Sequence, residues 1–253
     1  ITGMLSREVD NELTIDCLLL AGRIMIESGA ETYRVEDTML RMAQSQNMLD
    51  AQCYATPTGI IFSLGKTQPT RITSISSRVT DLQKISLVNS VSRRLTSHII
   101  SLEDAYDELK SIQKTNYFLP IYIQIFAAAL ASGCFLIMFK GGWSDFPTAF
   151  IAGGLGFLTL ILMNHLTKVK FFSEFTASLI IGVIAFLAVK FNYGTEIDKI
   201  IISSVMPLVP GILITNAVRD LMAGHFMSGM AKGAEAFLTA FAIGSAIAVI
   251  LSF

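Results

Sequence analysis

Charged residues are scarce in this sequence, and the scarcity is confined to one part of it. Lys, Arg, Asp and Glu make up 15% of the 253 residues, 52% are hydrophobic, and the mean hydropathy is +0.58. An average soluble domain has about a quarter charged residues. Of the 39 charged residues, 26 lie in residues 1–116 and only 13 in the 137 that follow. The composition therefore predicts a soluble-like first part and a membrane-embedded second part.

Several functional classes lack the residues that they require. A net charge of −1 leaves no basic footprint for nucleic acid. The three cysteines form no CxxC pair and no histidine stands where it could complete a zinc site, so we expect neither a disulfide framework nor a metal or cofactor. Residues 1–116 hold no GxSxG, P-loop or GxGxxG motif, and their only histidine, His98, has no adjacent nucleophile. An enzyme is therefore not predicted.

The second part contains five apolar stretches, each long enough to cross a bilayer. Crossing a hydrocarbon core of about 30 Å takes roughly 20 helical residues. The stretches are residues 119–139, 146–164, 171–191, 199–217 and 233–253. We therefore predict an α-helical integral membrane protein with five transmembrane helices over residues 117–253, preceded by a small α+β cytoplasmic domain over residues 1–116.

Positive charges outside these stretches predict the orientation. Six lie on the N-terminal side of the membrane and three on the other side: Lys110, Lys114, Lys168, Lys170, Arg219 and Lys232 against Lys140, Lys190 and Lys199. Cytoplasmic loops carry the excess of Lys and Arg. The start of the sequence also lacks an apolar segment of signal-peptide length. We expect a multi-pass plasma-membrane protein with its N-terminal domain in the cytoplasm and its C-terminus outside.

Small residues indicate two helix-packing surfaces in the membrane part. Ala236, Ala240, Gly244, Ala248 and Ser252 recur every four residues along the fifth stretch, and the second stretch has a shorter patch of Ala149, Gly153, Gly154 and Gly156. Such residues let helix backbones approach closely. Both are predicted to be assembly surfaces and not ligand contacts, and the stripe from Ala236 to Ser252 is a plausible docking face for a partner.

The first part shows the periodicities of a mixed domain. Apolar residues at helical spacing predict helices over residues 14–27, 32–46, 81–97 and 102–114, and short runs bounded by Pro and Gly predict strands over 51–56, 59–64 and 70–76. Ser28-Gly29 is a stop signal for the first helix. Glu31, Glu36 and Asp37 then fall in the first turns of the second helix, where negative charge is favoured, so the simplest interpretation of these acids is helix-end electrostatics.

Two prolines and a glycine interrupt the fourth apolar stretch. Pro207 and Pro210 each remove a backbone donor and clash with the preceding turn, and Gly211 adds freedom, so a straight helix is not expected. Broken helices build substrate sites in secondary transporters, because the freed backbone groups can contact a ligand. The alternative is a proline kink without a ligand.

Polar residues follow this break. Asn216, Arg219 and Asp220 share one helical face by their spacing, and Arg219 could clamp a carboxylate. Asp220 or Glu235 could hold an ammonium group or carry a proton, and Glu174, in the first turn of the third stretch, is a proton-coupling candidate. The alternatives are an Arg219–Asp220 pair that anchors the helix at the interface, and a Glu174 side chain that reaches the headgroups.

Three separated segments, in this order, resemble the threonine/serine exporter family. They are SGAETYRVEDT at residues 28–38, ATPTG at residues 55–59, and PLVPG at residues 207–211 with Asn216, Arg219, Asp220 and Glu235 after it. The resemblance covers nearly the whole chain. It implies a cytoplasmic domain joined to a membrane region and secondary transport of small amino acids such as threonine and serine.

The resemblance also bears on partners. The chain looks like the larger, N-terminal component of the split form of that family, completed by a second, shorter membrane subunit. Its five spans lack the second membrane module of single-chain members. One interrupted helix, where repeat-built transporters pair two, also favours a second subunit or a homo-oligomer. Two alternatives stay open: a dicarboxylate (succinate) exporter component, and a non-transporting regulatory or scaffold subunit.

Overall fold

The computed structural model describes residues 2–65, 69–167 and 169–252, with the side chains of residues 11 onward except that of Lys170. Lys168 and the Lys170 side chain, which the predicted orientation uses, lie outside the described residues, as does Phe253 at the end of the fifth predicted span. The chain forms two compact units. The first comprises Ile1–Phe118 and Ile212–Gly233, and the second comprises Leu119–Gly211 and Ala234–Phe253. Residues 212–233, which the sequence assigned to the membrane part, thus belong to the first unit.

The first unit contains helices and one small sheet. Its elements are α1 (Thr2–Glu27), α2 (Thr32–Ser45), β1 (Ala51–Thr56), β2 (Gly59–Leu64), β3 (Arg71–Ser74), α3 (Leu82–Thr96) and α4 (Leu102–Lys114), followed by most of α9 (Gly211–Met222) and the start of α10 (Phe226–Leu251). The predicted helices and strands are confirmed, except that α1 begins twelve residues earlier and β3 is shorter. The sheet is antiparallel in the order β1-β2-β3, with Thr56 opposite Gly59 at the first turn.

The core of the first unit lies between α1, α2, α3, α4 and the inner face of the sheet. Leu18, Met39 and Phe62 are among its fully buried side chains. Cys17 and Cys53 pack in or against this core, and burial raises the pKa of each thiol to about 12. A thiol with so high a pKa stays protonated and unreactive at neutral pH. Both cysteines therefore act as small apolar side chains here.

A glycine C-cap ends α1 and sets the direction of the chain into α2. The Gly29 N–H donates to the Ile26 carbonyl and the Ala30 N–H to the Met25 carbonyl, at 3.0 and 2.9 Å. This pair of bonds requires a left-handed residue, and Gly29 has φ +83°. The predicted stop at Ser28-Gly29 is confirmed. It leaves a loop of four residues, 28–31, before Thr32, the first residue of α2.

The second unit consists of apolar helices. They are α5 (Ile121–Met138), α6 (Phe146–Thr167), α7 (Lys170–Lys190), α8 (Ile197–Val205), a 3₁₀ turn (Met206–Leu208) and the later part of α10. Among the described residues, four helices are long and apolar enough to cross a membrane, and Ile197–Leu208 with Gly211–Met222 forms a fifth candidate only as an interrupted pair. The predicted interruption of the fourth stretch is confirmed.

The two predicted packing surfaces differ in the structure. A side chain at Gly153 would clash with Ser132 of α5, and one at Gly154 would lie 3.0 Å from Ala129 Cβ. The α6 patch is therefore a helix-packing surface, as predicted, and its partner is α5 of the same chain. On α10, by contrast, Ala240, Gly244 and Ala248 are exposed, and no described atom lies within 4 Å of a Cβ built at Gly244.

A buried aspartate joins the α5–α6 loop to the start of α8. The Asp145 carboxylate accepts hydrogen bonds from Thr195 N (2.8 Å), Thr195 Oγ1 (2.9 Å) and Glu196 N (3.0 Å). Burial opposes its ionisation, but these bonds outweigh that effect and lower the pKa of Asp145. The carboxylate satisfies N–H groups at the start of α8, as a capping residue does.

Candidate functional site

Three of the predicted site residues lie on α9 and contact the loop between α1 and α2. The spacing of Asn216, Arg219 and Asp220 puts them on neighbouring positions of one helix face. Asn216 and Asp220 are buried, whereas the Arg219 side chain is 55% exposed. Each of the three binds a residue between Gly29 and Thr32. The candidate site is therefore the contact of α9 with this loop, within the first unit.

Asp220 is fully buried and accepts two hydrogen bonds from one threonine. The Thr32 backbone N–H donates to Oδ1 at 2.9 Å, and the Thr32 hydroxyl donates to Oδ2 at 3.0 Å. Because Thr32 is the first residue of α2, its N–H has no partner within that helix. Asp220 supplies that partner and places a negative charge at the positive end of α2.

Lys232 supplies the positive charge that balances Asp220. Its Nζ lies 2.8 Å from Asp220 Oδ2, and it also donates to the Ala30 carbonyl at 3.0 Å and to Thr32 Oγ1 at 3.3 Å. The ammonium is nearly as buried as the carboxylate. Three acceptors thus match the three protons of the ammonium. Burying such a pair is tolerated only with this degree of hydrogen bonding.

A second ion pair lies beside the first. Arg219 Nη1 donates to Glu31 Oε1 at 2.6 Å, and Arg34 Nη1 donates to Glu31 Oε2 at 3.2 Å. Burial of Glu31 opposes its ionisation, but a backbone hydrogen bond and the two guanidinium groups outweigh that effect and lower the pKa of Glu31. Glu31 is therefore ionised at neutral pH.

Asn216 completes the set with a bond to the backbone. Its Nδ2 donates to the Gly29 carbonyl at 2.8 Å. The site thus presents a carboxylate that accepts N–H and O–H donors, and a guanidinium that holds a carboxylate. These are the groups that bind the ammonium and the carboxylate of a small amino acid.

The structure bears on two of the sequence interpretations at this site. Arg219 and Asp220 bind Glu31 and Lys232, so the Arg219–Asp220 anchor pair is wrong. Glu31 occupies the N-cap position of α2, where negative charge is favoured, and its carboxylate also binds Arg219 and Arg34. Glu36, further along α2, accepts a hydrogen bond from the Ala55 N–H at 2.8 Å and thereby ties the helix to β1.

The other predicted site residues belong to the second unit. Pro207 lies in the 3₁₀ turn, Pro210 follows it, and Gly211 begins α9. Glu174 is buried on α7, and Glu235 is partly buried on α10. The structure therefore brings Asn216, Arg219 and Asp220 together in one unit, and a role in the substrate path stays a prediction for all eight residues.

A family model described as "Putative threonine/serine exporter" matches residues 16–253 of the chain. The chain belongs to this family. The resemblance in the three sequence motifs is thereby confirmed, and the candidate site joins the first of these motifs to residues that follow the third. No solved structure matches the chain significantly.

Relatives in this exporter family carry different functional names. A protein of Klebsiella aerogenes named "Probable succinate transporter subunit YjjP" is 24% identical over 233 residues, which cover 89% of this chain and 86% of the relative. A "Probable threonine/serine exporter" of Mycobacterium tuberculosis is 22% identical over 94% of this chain, which spans only 45% of that protein. "Pheromone-regulated membrane protein 10" of Debaryomyces hansenii is 24% identical over 87% of the chain and 22% of its own length.

Sequence reasoning on this family member missed Lys232, Glu31 and Thr32 as parts of the site. Lys232 had a detectable signal, since a lysine among apolar residues near the start of a long helix needs a buried acceptor. Glu31 and Thr32 had no such signal. They lie 188 residues from their partners on α9, and no helical periodicity connects such distant positions.

Proposed function

We propose that this chain is a membrane exporter of small amino acids such as threonine and serine. The observation that carries the proposal is that one site contains both a buried carboxylate, Asp220, and a guanidinium, Arg219, each bound to a different partner. A zwitterion needs both, because its ammonium requires an anionic acceptor and its carboxylate a cationic donor. Membership of the exporter family supports transport as the activity.

The membrane arrangement that we propose has five spans. The interrupted pair Ile197–Leu208 and Gly211–Met222 counts as one of them. The positive charges place residues 1–116 in the cytoplasm and the loop at Trp143 outside. A cysteine introduced at Trp143, which is exposed, should react with an impermeant thiol reagent added to intact cells. Labelling only after permeabilisation would show that the orientation is opposite to the one proposed.

A second subunit or further copies of the chain complete the transport path in this proposal. Two relatives are named as transporter subunits. The exposed small residues Ala240, Gly244 and Ala248 on α10 give a surface against which another helix can pack closely. The proposed partner in the split form is the shorter membrane protein of this family.

A dicarboxylate such as succinate is the second candidate substrate. It is supported by the names of the Klebsiella aerogenes and Escherichia coli relatives, each 24% identical to this chain. Arg219 and Lys232 together offer two cations, as a dicarboxylate requires, but Lys232 already balances Asp220. Arg219 is then the one cation of the site that Asp220 does not balance, which favours a substrate with a single carboxylate over a dicarboxylate. A regulatory or scaffold subunit is the third alternative.

Export assays with and without the partner test these proposals. Cells that express the chain with its shorter partner should export threonine and serine, and Arg219→Lys should reduce that export at equal membrane abundance. Arg34→Lys is the matched control, because Arg34 binds the same carboxylate from outside α9. If succinate is exported and threonine and serine are not, the substrate is a dicarboxylate and not an amino acid. Unchanged export in Arg219→Lys and Asp220→Asn would favour the scaffold.

A further inference from the structure

The recognition groups of the proposed site are occupied by the protein itself. Both oxygens of Asp220 accept hydrogen bonds from Thr32, and Arg219 donates to the carboxylate of Glu31. A transported amino acid cannot use these groups while the loop between α1 and α2 holds them. Substrate binding at this site therefore requires that the loop be displaced.

The atoms that occupy Asp220 are those of a free hydroxyamino acid. Thr32 offers its backbone nitrogen to Oδ1 and its hydroxyl to Oδ2, at 2.9 and 3.0 Å. In free threonine or serine the amino nitrogen and the hydroxyl oxygen are linked through the same two carbons. One carboxylate can therefore accept from both groups of the free amino acid in the same geometry. Its ammonium carries a charge that the amide of Thr32 lacks, and it would share the Asp220 carboxylate with the Lys232 ammonium, which lies 2.8 Å from Oδ2.

The neighbouring contact supplies the remaining group of such a ligand. Glu31 presents a carboxylate to Arg219 at 2.6 Å, as the carboxylate of a substrate would. Exchange of one carboxylate for another leaves the charge at Arg219 balanced. Arg219 is half exposed and accessible to a solute, whereas Asp220 and Lys232 are covered.

From this correspondence we infer that Glu31 and Thr32 act as an internal ligand, which a free β-hydroxy-α-amino acid displaces from Arg219 and Asp220. The inference rests on the proposed function and extends it in two respects. It names the β-hydroxyl group as a determinant of specificity, and it makes the loop between α1 and α2 a competitor of the substrate. A site that binds a hydroxyl group discriminates against an isostere without one, because Asp220 Oδ2 then loses one of its two donors and Lys232 loses one of its three acceptors.

Amide hydrogen exchange of the full-length chain in lipid nanodiscs tests the displacement. The Thr32 amide is protected by Asp220, so L-threonine should accelerate exchange in peptides covering residues 29–34. L-valine has the same shape without the hydroxyl group and should have a much smaller effect at the same concentration, as should succinate. Peptides covering Thr195, whose amide is bound by Asp145 in the second unit, are the internal control and should not change.

Substitutions at Thr32 test the competition. Thr32→Val removes one hydrogen bond to a charged acceptor, which weakens the internal ligand and should lower the apparent Kd for L-threonine by about tenfold. Thr32→Ser keeps the hydroxyl group and should bind like the parent chain. Thr195→Val removes the equivalent bond to Asp145 and is the matched control, with an unchanged Kd expected.

The outcomes separate this inference from the proposed function. If threonine is bound and exported while exchange at residues 29–34 stays the same or slows, the internal ligand is wrong and the exporter stands. An unchanged or raised Kd for L-threonine in Thr32→Val would also show that the internal ligand is wrong. If no amino acid is bound or exported by the complete transporter, the proposed function fails and the inference falls with it.

Discussion

Two buried aspartates, one in each unit, are held by a threonine in the same way. Asp220 binds the N–H and hydroxyl groups of Thr32, and Asp145 binds those of Thr195, with all four distances between 2.8 and 3.0 Å. The Asp220 carboxylate lies at the start of α2, and the Asp145 carboxylate lies at the start of α8. The local geometry of the two clusters is therefore the same, and it does not distinguish a ligand site from a structural cap.

The difference lies in the charges around each carboxylate. Asp145 is satisfied by neutral donors, with Glu196 N as the third bond to its oxygens. Asp220 has a buried ammonium at 2.8 Å, and a guanidinium is present on the preceding residue, Arg219. Neutral N–H groups suffice to cap a helix, so capping alone does not require the buried ion pair of Asp220 and Lys232. The two carboxylates thus share their burial and differ in the charge of their partners.

Replacement of each aspartate by asparagine should give the largest contrast. Asp220→Asn leaves Lys232 buried without its counter-charge, which should cost about 3–5 kcal/mol of stability and abolish export. Asp145→Asn loses charge-assisted hydrogen bonds, which should cost about 1–3 kcal/mol, and its export per folded molecule should stay near that of the parent. Thermal unfolding and export at equal membrane abundance measure the two effects.

A double variant separates stability from function at Asp220. Asp220→Asn with Lys232→Met removes both charges and should recover part of the lost stability, because no uncompensated charge remains. Export should stay absent. Recovered export in the double variant would mean that Asp220 has only the structural role of Asp145.

The polar residues around the break in the fourth span should give a smaller loss of export. Arg219→Lys keeps the charge but loses the planar fork, so export should fall by roughly tenfold, equivalent to about 1.4 kcal/mol. Asn216→Ala and Glu235→Gln should each reduce export less. Transport rates at equal abundance decide this, and parental rates in all three variants would place the site elsewhere.

Assembly of the second unit with a partner should depend on the exposed small residues Ala240, Gly244 and Ala248 of α10, and not on Asp145. Gly244→Leu adds a side chain where another backbone is proposed to approach, so it should weaken association with the partner or a second copy. The chain itself should keep its thermal stability, because a Cβ at Gly244 meets no described atom within 4 Å. Gly244→Ala is the milder control, and co-purification of the partner is the measurement.

The smallest expected effect is the acid dependence that the two clusters share. Glu31 and Asp145 both have pKa values below their ordinary 4.5 and 3.8. Such groups stabilise the fold fully above their unfolded pKa, and this contribution is lost as the pH falls through the lower folded value. Stability should therefore be level above pH 4.5 and decline below it. Glu31→Gln should remove part of the decline measured by thermal unfolding.

Local signals predicted most of the elements. The strands over residues 51–56 and 59–64, the helices before and after them, and the interruption after Pro207 follow from periodicity and from backbone chemistry that acts within a few residues. The start of α1 was missed, although Leu5, Val9 and Leu13 continue the helical spacing of the apolar residues after them. The α6 patch was recognised as a packing surface, but its partner could not be named because small residues pack against any close helix.

Hydropathy and helical spacing are local properties, so they were enough to predict the apolar helices, the small sheet and the shared face of Asn216, Arg219 and Asp220. Which charges meet depends on the tertiary structure. Glu31 and Thr32 contact α9 across 188 residues of chain. Asp220 pairs with Lys232 and not with Arg219, its neighbour in the sequence. Pairing at such distances depends on which surfaces the folded units bury together, and no spacing rule along the chain encodes it.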